Sequence, residues 1–429
     1  MGVKLGILGL GTVGTGTVQL LQDLQGRHPL LQEVEICRIG VRSPDKSRPV
    51  TLPQEILSGD LSAIVNDPQI DIIVELMGGL EPARSLILEA IKNGKHVVTA
   101  NKAVISRFGE EIFNAANAAG VYVMFEAAVA GGIPVIKTLK QSLSVNKVHS
   151  IIGIVNGTTN YILTRMQTEG SELEEVLADA QKLGYAEADP TADIDGLDAG
   201  DKIAILASLG FGERINLQDV YCEGIRQVTK TDIIYAGKLG FVIKLLAIAK
   251  NQTDDKSQLS VRVHPTLVSQ THPLASINGV YNAILVEGEP IGQVMFFGPG
   301  AGAGPTGSAV CSDILNLVAT IKTNTAQANP LLSCRHKEYC HIAPISQLVT
   351  RFYARFLTKD HPGVIGKLGT CFGKYQVSLE SVVQTGFQGE MAEIVVVTHD
   401  VKEGDFRQSL EEIHTMEAID SIPSILRVL

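Results

Sequence analysis

Between Ala180 and Lys202 the acids Glu187, Asp189, Asp193, Asp195, Asp198 and Asp201 crowd together, and Lys202 then leads into the apolar run Ile203-Ala204-Ile205-Leu206-Ala207. On a helix Asp198 and Lys202 share one face, one turn apart. Taken alone, that spacing describes a helix-stabilising ion pair. It also fits a second chemistry. Oxidising an alcohol by hydride transfer requires the hydroxyl proton to leave, and the reverse reaction requires one for the developing alkoxide. A lysine at that oxygen serves as a proton shuttle or as a fixed cation opposite the alkoxide. Both versions stay open.

A hydride needs an acceptor, and the chain begins with a pattern for holding one. Gly9-Leu10-Gly11-Thr12-Val13-Gly14 follows the apolar run Lys4–Leu8 and opens a helical pattern. In such a turn Gly9 permits the tight bend, Gly11 lets backbone approach a pyrophosphate, and Gly14 allows close helix packing. Thr12 and Val13 begin the helix whose N-terminus attracts the phosphates. The second strand ends in Val41-Arg42-Ser43-Pro44-Asp45-Lys46-Ser47-Arg48. Arg42, with Ser43, Lys46 and Arg48 behind it, suits the 2′-phosphate of NADP better than the ribose hydroxyl of NAD. Asp45 keeps NAD open, and a solvated basic loop is the plain alternative.

The elements that position these groups follow from periodicity. Strand patterns at Lys4–Leu8, Glu35–Val41, Ile70–Leu76, His96–Thr99 and Tyr122–Phe125 alternate with helical patterns at Thr15–Leu24, Ala83–Asn93, Gly109–Ala119 and Pro134–Leu143. That alternation predicts an α/β fold with a Rossmann-type dinucleotide-binding domain over 1–144. Residues 145–322 read as an α+β substrate and dimerisation domain. It has a strand at Val148–Val155, helices at Glu172–Leu183 and Asp198–Leu209, a long apolar helix at about Asp232–Ala249, strands at Leu259–Val263 and Ala283–Phe297, and a last helix, Ser308–Ile321, running back to the first domain. Thr323–Ile345 lacks periodicity, so 323–348 is expected to be a linker from which the last domain can be detached. Residues 349–429 follow a ferredoxin-like β-α-β-β-α-β order.

Composition limits the partners. The 429 residues are 45% hydrophobic and 19% charged, with a net charge of −10. A globular, multidomain chain is expected, with a small-molecule substrate rather than nucleic acid or an anionic membrane. Six scattered cysteines without a CxxC pair fit a reducing cytoplasm. Cys334 and Cys340, with His336 and His341, lack the second pair that a zinc site needs. Glycines interrupt the apolar N-terminal stretch, so it reads as strand and turn rather than a signal peptide, and no run is long enough to span a bilayer.

The segment from Ala180 to Lys202 resembles the homoserine dehydrogenase family, whose pattern A-x3-G-Y-x-E-A-D-P-x2-D-x2-G-x-D-x3-K it matches throughout. Ala100-Asn101-Lys102-Ala103, Asn156-Gly157-Thr158-Thr159-Asn160-Tyr161 and the loop Gly298-Pro299-Gly300-Ala301-Gly302-Ala303-Gly304-Pro305-Thr306 extend the resemblance over about residues 1–320. It implies reversible NAD(P)-dependent conversion of L-homoserine and L-aspartate 4-semialdehyde, within threonine, methionine and isoleucine biosynthesis. It also implies that Asp198 orients Lys202 and binds substrate, that Glu187 takes the substrate ammonium, and that Tyr185 and Thr158 are weaker contacts. Lys102 assists substrate or cofactor, while Gly184 and Gly302 approach the cofactor. Glu126-Ala127-Ala128-Val129-Ala130-Gly131-Gly132-Ile133 is similar to a family segment that wraps a monovalent cation, read as sodium, with the Glu126 carboxylate and the carbonyls of Val129, Gly131 and Ile133.

Phe356-Leu357-Thr358-Lys359-Asp360-His361-Pro362-Gly363 looks like the entry to an ACT domain, and Val377–Gln384 is similar to its second strand. These modules pair and bind amino acids, which implies feedback by threonine and a homodimer or homotetramer. A pairing module that has lost its ligand is the alternative. With the dinucleotide fold opening the chain, no fused aspartate kinase is expected. A semialdehyde dehydrogenase acting through a thioester needs an activated cysteine, and no cysteine motif suggests one. An amino-acid-binding regulator on a dead dehydrogenase would not need Lys202, Asp198 and Glu187 intact.

Overall fold

The computed structural model describes residues 2–252, 259–323, 329–334, 336, 338–388 and 391–429. Strand and helix alternate first: β1 (Val3–Leu8), α1 (Thr12–Gln22), β2 (Val34–Gly40), β3 (Leu57–Ser58), α2 (Leu61–Asn66), β4 (Ile72–Glu75), α3 (Ala83–Lys92), β5 (His96–Thr99), α4 (Lys102–Ala119) and β6 (Val123–Met124). These strands are all parallel, in the order β3-β2-β1-β4-β5-β6. This is the doubly wound dinucleotide-binding order, and it sets ligands at the carboxyl ends of the strands. Leu5, Ile7, Ile72, Ile73 and Val74 are fully buried, as strands covered by helices on both faces must be.

Next come β7 (Lys147–Ile154), α5 (Gly157–Glu169), α6 (Leu173–Lys182), α7 (Thr191–Ile194), α8 (Leu197–Phe211), β8 (Tyr221–Cys222), α9 (Lys230–Lys238), β9 (Phe241–Asn251), β10 (Leu259–Ser269), β11 (Tyr281–Glu289), β12 (Gly292–Pro299) and α10 (Ala303–Lys322). The last stretch holds β13 (Val349–Lys359), α11 (Val364–Lys374), β14 (Leu379–Gln388), β15 (Met391–Thr398), β16 (Val401–Lys402), α12 (Glu403–His414) and β17 (Ile419–Val428). Its element order is the ferredoxin-like one, with the two-residue β16 added. Among the described residues no helix is long and apolar enough to cross a membrane.

The chain divides into two compact units. One holds the residues to Ile151 with Asp201–Leu217 and Asn282–Tyr339. Here α10 does run back to the dinucleotide fold: Val310, Ile314, Leu317 and Val318 are fully buried in the same core as Leu5 and Val18. The crossing of α1 and α10 is so close that a methyl on Gly16 would lie 2.0 Å from the Ala303 carbonyl oxygen.

The other unit holds Ile152–Gly200, Gln218–Tyr281 and Cys340–Leu429. Its strands run β9-β10-β17-β13-β15-β14, with β8 beside β10 and β16 beside β13. The expected helix over Asp232–Ala249 is corrected here: α9 ends at Lys238, Gly240 turns the chain at φ 83°, and β9 follows. Val242–Ala249 are buried in an unbroken run. Apart from Lys244 the run is apolar, and one polar residue sets no period by which a buried strand can be told from a buried helix.

The expectation of a clean seam before the last domain also needs correction. β17 pairs in parallel with β10, matching Thr266 to Arg427 and Leu267 to Val428. Arg355 of β13 donates to Asp232 Oδ1 at 2.9 Å and to Glu393 Oε1 at 3.0 Å, all three buried. Within the segment expected to be a linker, residues 324–328, 335 and 337 lie outside the described residues. Leu332, Cys334 and Cys340 are buried, and Leu332 joins the core of α1 and α10.

Candidate active site

β1 delivers the chain into the glycine turn. Gly9 sits at φ 104°, and a methyl there would stand 2.7 Å from the Leu76 carbonyl oxygen. One on Gly14 would lie 2.3 Å from the Gly9 carbonyl oxygen. Gly11 caps α1 with open space around it, and Thr12, exposed, and Val13, half-buried, form the first turn. The unshared amides of that turn are what a pyrophosphate would take. Past β2, Arg42 is exposed. Arg48 is spent on its own loop, donating to the carbonyls of Ser43, Pro44 and Lys46 at 2.5, 2.8 and 2.6 Å. It therefore shapes the loop and leaves Arg42 as its outward guanidinium.

The end of β4 holds a group that sequence reading passed over. Glu75 is fully buried, accepts from the Thr99 hydroxyl at 2.7 Å and from the Met77 amide at 2.8 Å, and burial raises its pKa. The Thr99 oxygen accepts in turn from the Asn101 amide at 3.0 Å. Asn101 caps α4, accepting from the Val104 amide, and donates to the Gly79 carbonyl at 2.7 Å. This chain of bonds fixes the turn that puts Lys102, half-buried, at the first position of α4. A lone carboxylate closing the run Ile72-Ile73-Val74-Glu75 was its sequence signal.

α8 carries Asp198 in its first turn and Lys202 one turn later on the same face. Asp198 is buried and Lys202 half-buried. Asp201, between them in sequence, is buried on another face, where its Oδ1 accepts from Ser106 Oγ and Arg107 Nη1 of α4, both at 2.7 Å. That clamp ties the lysine-bearing helix to the helix of Lys102. Asp201 too was passed over as a positioning group.

Asn156 organises the acidic segment. It caps α5 by accepting from the Thr159 amide at 2.9 Å, and its Nδ2 donates to Asp193 Oδ1 at 2.7 Å and Asp198 Oδ2 at 2.9 Å. Thr158 Oγ1 donates to the Tyr185 carbonyl at 2.7 Å, so its contact is with the loop backbone. Tyr185 and Glu187 are exposed side chains, with the Tyr185 ring 5.0 Å from that of Tyr161. Gly184 follows α6 and is exposed. Gly302 caps α10 and is also exposed. The arrangement presents a fixed carboxylate and a lysine one helical turn apart, next to a loop with a solvent-facing carboxylate.

Glu126 is buried, and both its oxygens accept backbone amides, from Ile136 and Lys137 at 2.8 Å each. Val129, Gly131 and Ile133 are buried in the loop that follows. Glu126 also donates its own amide to Asp313 Oδ2 at 2.8 Å. Burial pushes the Cys311 thiol up to about 12 and raises those of Cys334 and Cys371, the reverse of an activated nucleophile.

Comparison with known proteins gives three matching family profiles. "Homoserine dehydrogenase, NAD binding domain" matches residues 9–126, "Homoserine dehydrogenase" residues 134–315, and "ACT domain" residues 352–418. The chain is 65% identical over 432 residues to the homoserine dehydrogenase of Synechocystis sp., covering 100% of both. It is similar to the crystal structure of a homoserine dehydrogenase from Thiobacillus denitrificans, with a TM-score of 0.92, 38% identity, and 100% of this chain and 98% of that one covered. A hyperthermophilic archaeal homoserine dehydrogenase in complex with NADPH gives a TM-score of 0.64 at 28% identity, covering 78% of this chain and 100% of that one.

Proposed function

The chain belongs to the homoserine dehydrogenase family, and from that premise we propose that it interconverts L-homoserine and L-aspartate 4-semialdehyde with NADP, which we favour, or with NAD. The observation that carries this reading is the placement of Asp198, held by Asn156, one turn before Lys202 on α8. When bound, the nicotinamide supplies the hydride acceptor or donor. In the oxidation, the substrate C–H bond breaks with its electron pair passing to the nicotinamide, the carbonyl forms, and the hydroxyl proton passes to Lys202 as base, or to solvent with Lys202 as a fixed cation opposite the alkoxide. Asp198 orients the lysine and binds substrate, and Glu187 takes the substrate ammonium. Tyr185 and Thr158 border that end, while Lys102 assists substrate or cofactor.

The dinucleotide is held by Gly9, Gly11, Thr12, Val13 and Gly14, with Gly184 and Gly302 approaching it. Exposed Arg42 supports NADP, as does the NADPH complex of the archaeal relative. A sodium-like cation fits at Glu126 with the carbonyls of Val129, Gly131 and Ile133. Glu126 and Asp313 are two buried carboxylates beside one lysine, Lys137, which stands 3.4 Å from Asp313 Oδ1. That oxygen accepts no hydrogen bond among the described residues. Burial raises the pKa of both carboxyls, Asp313 to about 7, and a bound cation would favour their ionised forms.

Our reading extends to a cytoplasmic enzyme of threonine, methionine and isoleucine biosynthesis, a homodimer or homotetramer, with domains at 1–144, 145–322 and 349–429 joined through 323–348. The ACT domain supports an amino-acid effector, for which threonine is our choice. Initial rates with homoserine against NADP and NAD, with and without threonine, test these readings. No turnover with either cofactor would remove the substrate assignment, and indifference to threonine would remove the effector.

A further inference from the structure

A cavity of about 440 Å³ lies in the second unit, among β9, β10, the start of β13, β16 and the end of β17. Side chains on one face of β10 line it: Ser260, Arg262, His264 and Thr266, each no more than 6% exposed. A buried strand face is ordinarily apolar, and four consecutive polar positions on it need a partner. Arg262 Nε donates to His264 Nε2 at 3.1 Å and Nη1 to Ser260 Oγ at 2.5 Å. Neither acceptor is an anion, and among the described residues no carboxylate pairs with this guanidinium.

The acid whose charge reaches it, Glu403, is already taken by Arg427, at 2.8 and 2.5 Å, and by Arg407 at 3.2 Å. Burial, together with the charge of Arg427, lowers the Arg262 pKa to about 10. Arg351, also lining the cavity, pairs with Glu380 through Nη2, but its buried Nε has no hydrogen-bond acceptor among the described residues. Lys250 and Lys402 add exposed positive charge, and Asp400 is the single acidic side chain among the lining residues. A buried cation without a counter-charge is costly, and an oxyanion satisfies guanidinium donors with the strongest class of hydrogen bond.

We propose that this cavity binds a small oxyanion, a carboxylate or phosphate group carried by a metabolite, paired with Arg262 and Arg351. A neighbouring cavity of about 520 Å³ shares Gln252, Ser260, Arg262 and Leu348 with it, which leaves room for the rest of such a molecule. The site is separate from the turn at Asp360–Gly363: Arg351 is eight residues from Lys359 on β13, roughly 26 Å at the rise of a strand. It uses none of the residues assigned to hydride transfer.

Isothermal titration of the full chain with inorganic phosphate and with citrate, each against chloride at matched ionic strength, tests the site. Saturable binding of at least one anion is expected, about tenfold weaker in Arg262→Met and two- to threefold weaker in the Lys250→Ala, Lys402→Ala double variant. Phosphate alone or citrate alone would identify the source, and either result supports the site. No saturable binding, or binding unchanged in Arg262→Met, overturns it. Should Arg262→Met fail to fold, the exposed double variant decides, and undiminished binding there overturns the proposal.

Discussion

The side-chain amide of Asn156 donates to Asp198 Oδ2 at 2.9 Å, with its second hydrogen on Asp193 at 2.7 Å. One neutral group thus bridges two acids while capping α5. Two carboxylates held side by side repel unless a donor stands between them, and here the donor is fixed by the start of a helix.

Asn156→Asp replaces that donor with a third acid. We expect kcat for homoserine oxidation to fall at least tenfold, with KM for the dinucleotide within twofold of the parent. Asn156→Ala should in addition lose the cap, about 1 kcal/mol of stability. Steady-state kinetics and thermal melts read both. An unchanged kcat in Asn156→Asp would mean that Asp198 needs no orienting partner.

The Arg42 guanidinium is exposed while Arg48 is held by three loop carbonyls, so the two arginines of this loop should separate in kinetics. Arg42→Ala should raise KM for NADP at least tenfold and KM for NAD less than twofold. Arg48→Ala should affect both cofactors alike, through the loop. Equal effects of Arg42→Ala on the two cofactors would remove the 2′-phosphate assignment.

Glu75 gives a pH dependence with a defined sign. Burial raises its folded pKa above the ordinary carboxylate value, so the folded state holds its proton more tightly than the unfolded chain. Its contribution to stability is full below the unfolded pKa and is lost as pH rises through the raised folded one. The melting temperature of wild type minus that of Glu75→Gln should therefore fall on going from pH 4 toward neutrality. A flat or rising difference contradicts the assignment.

Much of this was legible in local pattern. Gly9, Gly11 and Gly14 announced a turn that the backbone realises, and Asp198 and Lys202 were placed on one helix face by spacing alone. Groups whose meaning depends on distant partners were not legible. Glu75 needs Thr99, Asp201 needs Ser106 and Arg107, and Gly16 needs Ala303, and no spacing rule connects them. The stretch Val242–Ala249 failed for the opposite reason, since Lys244 is its single polar residue and one position cannot set a period.

Removing residues from Val349 onward should damage the rest of the chain, because it strips β17 from β10 and takes Arg355 from Asp232. The truncated protein is expected to melt at least 10 °C lower or to aggregate. A truncated enzyme with unaltered melting and full activity would show that the shared strand and ion pair are dispensable.

The most direct test of the central claim is Lys202→Ala, assayed in both directions and titrated with NADPH by fluorescence. A positioned acid/base group or fixed cation contributes about 10²–10⁴-fold, so turnover should fall by at least about a hundredfold while NADPH binding stays within twofold. Turnover within about tenfold of the parent, with the cofactor still bound, would contradict the assignment of Lys202 to the reacting oxygen.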